Sequence, residues 1–161
     1  MKSKIKDLAT QLRLIYEQGN KEGFPLFMGS FQFPKASCEG SSRVFAHIIS
    51  KQYPKSKVHV VEGYDHPNDD RHYWVIVDKL TYDLTCDQFD GFSTPIIGEN
   101  SNPLISKFND LDILSDDDIF ENWIPGGRYD KLATLKYVEH YLKNAQQTIY
   151  PPDTDNQNRY L

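Results

Sequence analysis

The chain has 161 residues, of which 18 are basic and 23 acidic, giving a formal net charge of -5. With 39% apolar and 25% charged residues, the composition is typical of one compact domain and excludes a disordered or low-complexity protein. The sequence has no basic stripe and no apolar run of the roughly 20 residues that span a bilayer. We therefore expect no nucleic-acid or membrane partner.

The amino terminus and the cysteines both favour a cytoplasmic protein. Residues 1–18 alternate charged with apolar side chains and do not form the apolar core of a signal peptide. Cys38 and Cys86 are too few for a disulfide framework, so both are expected to be thiols in a reducing compartment. Nothing in the sequence indicates an oligomeric state.

Two helices are predicted before any strand. Residues 4–18 carry apolar side chains at helical spacing and end at Gly19. A second helix begins at or just after Cys38 and ends before Pro54. The intervening loop, 23–37, is rich in Gly, Pro and aromatic residues and is expected to pack through four rings: Phe24, Phe27, Phe31 and Phe33.

Strands dominate the middle of the chain, with helices after them. Alternating apolar residues predict strands at 57–63, 72–78 and 80–85, with a polar loop at 64–71 and a possible short strand at 95–97. A short helix is expected from the Ser115 cap to Trp123, and a longer one over 129–144. This order predicts an α+β fold, with a single domain over 1–150 and a polar, flexible tail over 151–161.

Cys38 is the candidate nucleophile. A helix amino terminus favours a thiolate, and the residues around Cys38 are polar and unlike those of a core. His72 could serve as the base, and Asp83 could fix the tautomer of its imidazole, with Asp87 as the next candidate acid. Read singly, each residue has a plainer explanation: a buried thiol, a surface histidine or a solvated carboxylate. We prefer the buried-thiol explanation for Cys86.

Strand register tests whether His72 and Asp83 can meet. If Asp78 and Lys79 form a two-residue turn, Val77 pairs with Leu80, and His72 lies diagonal to Asp83 on one face of the sheet. A four-residue turn also places the two on one face. A three-residue turn would send Asp83 to the opposite face and break the proposed triad.

Three blocks of this sequence resemble the transglutaminase-like superfamily within the papain-like cysteine hydrolases. They are CEGSSRVFAHII, EGYDHPNDDRHYWVIVD and YDLTCDQF, between Phe33 and Phe89, about a third of the chain. The resemblance implies a papain-like α+β fold, with amino-terminal helices packed on an antiparallel sheet. It makes Cys38 the nucleophile, His72 the general base and acid, and Asp83 the orienting acid. Superfamily members commonly have His-Ala-Trp where this chain has Tyr73 between His72 and Trp74.

Gln32 and Trp74 are assigned to substrate binding. Gln32 lies six residues before Cys38, which resembles the spacing of the oxyanion-hole glutamine of papain. The alternative for Gln32 is a loop amide that bonds the backbone. No metal is expected, because His59, His66 and His72 lack the spacing of ligands on one helix, and the chemistry needs no cofactor.

The function implied is a cysteine-dependent amide hydrolase or acyl transferase that acts on a protein or peptide. Peptidase, amidase, deamidase and transferase activities all remain open. A cell-wall peptide amidase is disfavoured by the acidic net charge, because the wall is anionic. The alternative from another class is a noncatalytic binding or immunity-type module that retains the fold.

Overall fold

The computed structural model describes residues 2–24, 26–27, 32–126 and 129–149, and side chains as far as residue 145. Phe31 of the predicted aromatic loop and the predicted tail at 151–161 lie outside the described residues. The described chain is an α+β fold in which four helices accompany a five-stranded antiparallel sheet. The helices are α1 Lys2–Lys21, α2 Cys38–Gln52, α3 Asp116–Ile119 and α4 Lys131–Ile149. The strands are β1 Val58–Asp65, β2 Asp70–Val77, β3 Leu80–Asp83, β4 Ile96–Glu99 and β5 Asp110–Ile113.

The sheet has the order β4-β3-β2-β1-β5, so β2 is the central strand. Val77 pairs with Leu80 and Val75 with Tyr82, which confirms the register predicted for a two-residue turn. The turn residues, Asp78 and Lys79, have φ values of 49° and 73°. Two consecutive positive φ angles match the twist of a tight hairpin, although neither residue is the glycine that such turns prefer.

The sequence prediction placed a polar loop at 64–71, but both flanking strands continue into it. β1 and β2 pair as far as Asp65 and Asp70, and a short 3-10 turn, His66–Asn68, joins them. Tyr64 pairs with Arg71, whose guanidinium lies 5.4 Å from the centre of the tyrosine ring. This cross-strand contact extends the hairpin through residues that are polar but still alternate between the two faces.

Each face of the sheet carries its own hydrophobic cluster. Tyr73, Val75 and Val77 of β2 pack with apolar residues of α1, α2 and α4. On the other face, Trp74 packs in a second cluster whose other buried members are Val61, Cys86, Ile96, Leu104 and Phe108. The central strand is therefore covered on both sides, as its continuous apolar run predicts.

Several element boundaries differ from the prediction. β5 was not predicted, and α3 ends at Ile119 and not at Trp123. α1 continues past Gly19 to Lys21, and α4 begins two residues later than expected and runs five residues further. In the part of the chain that is described, we find no helix with the length and hydrophobicity needed to cross a membrane.

Candidate active site

Cys38 is the first residue of α2, and hydrogen bonds join the first turns of this helix to β2 and to α1. The Ser42 hydroxyl donates to the Tyr73 carbonyl of β2 at 3.0 Å. From α1, the Tyr16 hydroxyl donates to the Ser41 carbonyl at 3.3 Å. The half-buried Cys38 is thus held beside the start of the strand that carries His72.

A buried arginine and a glycine further restrict the start of α2. Arg43 binds Glu39 within the helix and donates to the carbonyl of Asp118 in α3. Gly40 has no room for a side chain, because a Cβ there would lie 2.5 Å from Cδ1 of Phe27. The segment that presents Cys38 is therefore tied down by packing as well as by hydrogen bonds.

The amino terminus of α2 has no side-chain cap. The Ser37 hydroxyl donates to the Lys35 carbonyl at 3.1 Å and does not accept from the helix. The first hydrogen bond of the helix runs from Ser41 N to Ser37 O at 3.0 Å. The backbone N–H groups of Cys38, Glu39 and Gly40 precede it, and such groups have no partner within a helix.

His72 and Asp83 form a buried pair. Nε2 of His72 lies 2.6 Å from Oδ2 of Asp83, and both side chains are 0% exposed. The pair lies diagonal across the β2–β3 hairpin, so the contact that the sequence predicted from strand register is present. Catalysis by this pair stays a prediction.

Three aromatic rings surround the imidazole of His72. The ring centres of Phe89, Phe108 and Trp74 lie 4.9, 5.4 and 5.9 Å from it. Burial among them lowers the pKa of His72, but the charge and hydrogen bond of Asp83, together with the Cys38 side chain, raise it to about 9. The imidazole is therefore expected to be protonated at neutral pH.

The second ring nitrogen of His72 is the one available to Cys38. Nδ1 is buried and has no hydrogen-bond partner among the described residues. The Cys38 thiol is close enough to raise the pKa of the ring, yet it does not meet hydrogen-bond geometry. Cys38, His72 and Asp83 thus lie in sequence, with the imidazole between the thiol and the carboxylate.

Asp83 is held from several sides. Its Oδ1 accepts from the backbone N–H of Thr85 at 3.1 Å, and its Oδ2 accepts from Nδ2 of Asn102 at 2.8 Å. Sequence reasoning missed Asn102, which is 3% exposed. Asn102 before Pro103 is a local signal for a helix start, and the residue does cap the 3-10 helix Pro103–Ser106. Nothing local predicts its contact with Asp83.

Asp87, the second candidate acid, has another partner. Its two carboxylate oxygens accept from Nη1 and Nη2 of Arg13, each at 2.7 Å. Nη1 of Arg13 also donates to the Leu84 carbonyl at 2.6 Å, and the guanidinium lies 4.8 Å from the centre of the Phe33 ring. Arg13 therefore connects the segment before Cys38 with the segment after Asp83.

The two residues assigned to substrate binding lie in different environments. Gln32 is exposed in the turn before α2, and among the described residues no hydrogen bond joins its amide to Cys38. Trp74 is 2% exposed, inside the second hydrophobic cluster. A substrate cannot reach Trp74 without opening this cluster, so its observed role is packing.

Cys86, His59 and His66 lie outside the proposed triad. Cys86 is fully buried, its thiol donates to the Thr94 carbonyl at 3.3 Å, and burial raises its pKa to about 12. These features confirm the prediction of a core thiol. His66 pairs with Asp110 at 2.7 Å, and His59 is exposed. Within the described ranges, no three His, Cys, Asp or Glu side chains form a cluster that could hold a metal ion.

No family model, curated protein or solved structure matches this chain. The likeness to transglutaminase-like enzymes thus remains a resemblance of short motifs.

Proposed function

We propose that this protein is a cysteine-dependent amide hydrolase or acyl transferase that works through Cys38, His72 and Asp83, on a papain-like fold of the transglutaminase-like type. The observation that carries the proposal is the position of His72. One of its ring nitrogens bonds Asp83 at 2.6 Å, while the other, buried and unpartnered among the described residues, is left for the thiol of Cys38. A nucleophile, a base and a group that orients the base are the parts such chemistry needs.

The first half of the reaction forms an acyl-enzyme. The Cys38 thiolate attacks the amide carbonyl carbon, a carbon–sulfur bond forms, and the carbonyl oxygen takes up the negative charge. The backbone N–H groups at the start of α2 can donate to that oxygen, because Ser37 does not cap them. When the carbon–nitrogen bond breaks, Nδ1 of His72 gives its proton to the departing amine.

The second half releases the acyl group. Nδ1, now without its proton, accepts one from water or from an acceptor amine as that molecule attacks the thioester. The carbon–sulfur bond breaks, and the thiolate and protonated imidazole are restored. Asp83 stays ionised throughout and holds Nε2 of the ring. Hydrolysis, deamidation and transfer share these steps and differ only in the leaving group and the acceptor.

The substrate proposed is a protein or peptide. Cys38 is half-buried and His72 is fully buried, so an amide has to approach along the Cys38 side of the pair. A noncatalytic binding module with this fold would have no need for a thiol that reacts selectively. Selective acylation of Cys38 therefore separates the two functions.

The test uses p-nitrophenyl acetate, an activated ester that acylates reactive thiols without specific recognition. We expect a burst of one equivalent of nitrophenolate, with acetyl mapped to Cys38 by mass spectrometry. The variant Cys38→Ala should lose the burst, whereas the matched control Cys86→Ala should keep it. A burst that survives in Cys38→Ala, or no burst in the wild type, would favour the binding module.

A further inference from the structure

Asn102 connects the buried His72–Asp83 pair to the 3-10 helix Pro103–Ser106. Its Nδ2 donates to Oδ2 of Asp83 at 2.8 Å, while its Oδ1 accepts from the backbone N–H of Leu104 at 3.0 Å. If the amide were flipped, its NH2 group would face the backbone N–H of Leu104 and its oxygen would face the carboxylate of Asp83, so neither hydrogen bond could form. The amide therefore has one acceptable orientation, with its N–H directed at the carboxylate.

Asn102 and His72 share one oxygen of Asp83. Oδ2 accepts both from Nδ2 of Asn102 and from Nε2 of His72, while Oδ1 accepts from the N–H and the hydroxyl of Thr85. The carboxylate and the amide are 0% and 3% exposed, so neither group can exchange these bonds for solvent. The amide thus limits where Oδ2 can lie relative to the imidazole.

We propose that Asn102 is a positioning residue for the His72–Asp83 pair: its amide holds Oδ2 in line with Nε2 and compensates the carboxylate charge when the imidazole is neutral. The catalytic meaning of this role rests on the proposed function, but the geometry does not. With His72 protonated the pair is neutral overall, and with His72 neutral it carries one uncompensated buried negative charge. A donor on Oδ2 therefore stabilises the second state more than the first.

The charged and titratable groups around the His72 ring determine whether loss of the Asn102 amide raises or lowers the pKa of His72. Cys38 of α2 and Asp83 of β3 interact with His72 directly. Lys107 lies near one of the three aromatic rings that surround His72, with its Nζ 4.7 Å from the centre of the Phe108 ring. None of these groups is removed by a change at Asn102. Loss of the amide donor alone is thus expected to raise the pKa of His72.

The decisive variant is Asn102→Ser. Serine is a helix cap comparable to asparagine, so it can still accept from Leu104, but its side chain is too short to donate to Asp83. NMR titration of the His72 imidazole should show a midpoint higher than in the wild type by about one pH unit. The matched control is Asp130→Ala, which removes the cap that accepts from Leu132 and Ala133 at the start of α4. It should lower the melting temperature and leave the His72 midpoint unchanged.

A measurement on the wild type keeps the proposal testable if Asn102→Ser does not fold. The side-chain amide proton resonances of Asn102 should shift with pH at the same midpoint as the His72 ring. An Asn102 amide that does not respond to this titration, or an Asn102→Ser protein with the wild-type midpoint, would show that Asn102 is only a helix cap.

Neither NMR experiment needs a substrate or a reactive thiol. Failure of the acylation test would therefore refute the proposed function while leaving the role of Asn102 to be decided by the titration. In an active enzyme, Asn102→Ser should displace the pH profile of kcat in the same direction as the His72 midpoint.

Discussion

Replacing Asp83 with asparagine should change how stability depends on pH. The pKa of His72 is raised from 6.5 to about 9, against the effect of its burial, by Asp83 and then by Cys38. The difference corresponds to about 3 kcal/mol in favour of the protonated imidazole in the folded protein. In Asp83→Asn the main source of that preference is absent, so burial should lower the pKa of His72 below its usual value.

The two proteins should consequently differ in the direction of their pH dependence. In the wild type, the folded-state pKa lies above the unfolded one, so the contribution of His72 is complete below about pH 6.5 and is lost as the pH rises through about 9. In Asp83→Asn, the folded-state pKa lies below the unfolded one, so no stability from His72 is lost over this interval. The free energy of unfolding should therefore fall from pH 6 to pH 9.5 by about 3 kcal/mol more in the wild type than in the variant.

Urea unfolding at the two pH values, followed by tryptophan fluorescence, measures this difference. Asp87→Asn is the matched control, because it removes a neighbouring carboxylate that is bonded to Arg13 and not to His72. Asp87→Asn should keep the pH dependence of the wild type at a lower overall stability. If Asp83→Asn and the wild type lose equal free energy over the interval, Asp83 does not raise the pKa of His72 and the reasoning is wrong.

Three further outcomes are expected. Iodoacetamide near neutral pH should alkylate Cys38 well before Cys86, because Cys86 is buried; equal rates in peptide mapping would remove the case for an activated nucleophile. Lys79→Gly should raise the free energy of unfolding by up to about 1 kcal/mol, since glycine tolerates the φ of 73° at this turn position, and a lower urea midpoint would contradict this. Gly63→Ala should lower the free energy of unfolding by about 1 to 3 kcal/mol, because the added Cβ would lie 2.7 Å from Cβ of Phe108. An unchanged melting temperature would mean that the loop carrying Phe108 moves freely.

The sequence predicted those parts of the site that depend on local periodicity. Alternation along β2 and β3, with a two-residue turn between them, was sufficient to place His72 and Asp83 on one face. The helical spacing of the apolar residues from Val44 to Ile49 placed Cys38 at or just before a helix start, and the structure confirms that α2 begins at Cys38. Each inference used residues close together in the chain, because over such short distances the repeat of the helix or strand alone determines which way a side chain points.

Residues whose positions depend on distant packing could not be predicted. Asn102 contacts Asp83 although the two lie 19 positions apart in the chain, and its sequence neighbourhood indicates only a helix cap. β5 was missed because Asp110 and Asp112 are unfavourable in strands, and all four of its residues are exposed. Trp74 was assigned to substrate on the strength of a motif, whereas burial against Phe108 makes it part of the core.

The hairpin that carries His72 and Asp83 has a consequence for the order in which the site assembles. The two residues are 11 positions apart and are joined through a two-residue turn, so the loop that must close to bring them together is short. Cys38 comes from a helix 34 positions before His72 and meets the pair only when α2 docks on β2. Contacts between residues close in sequence form at a lower entropic cost than distant ones. During folding, we therefore expect the His72–Asp83 contact to form first. Cys38 then joins this preformed pair as the last part of the site.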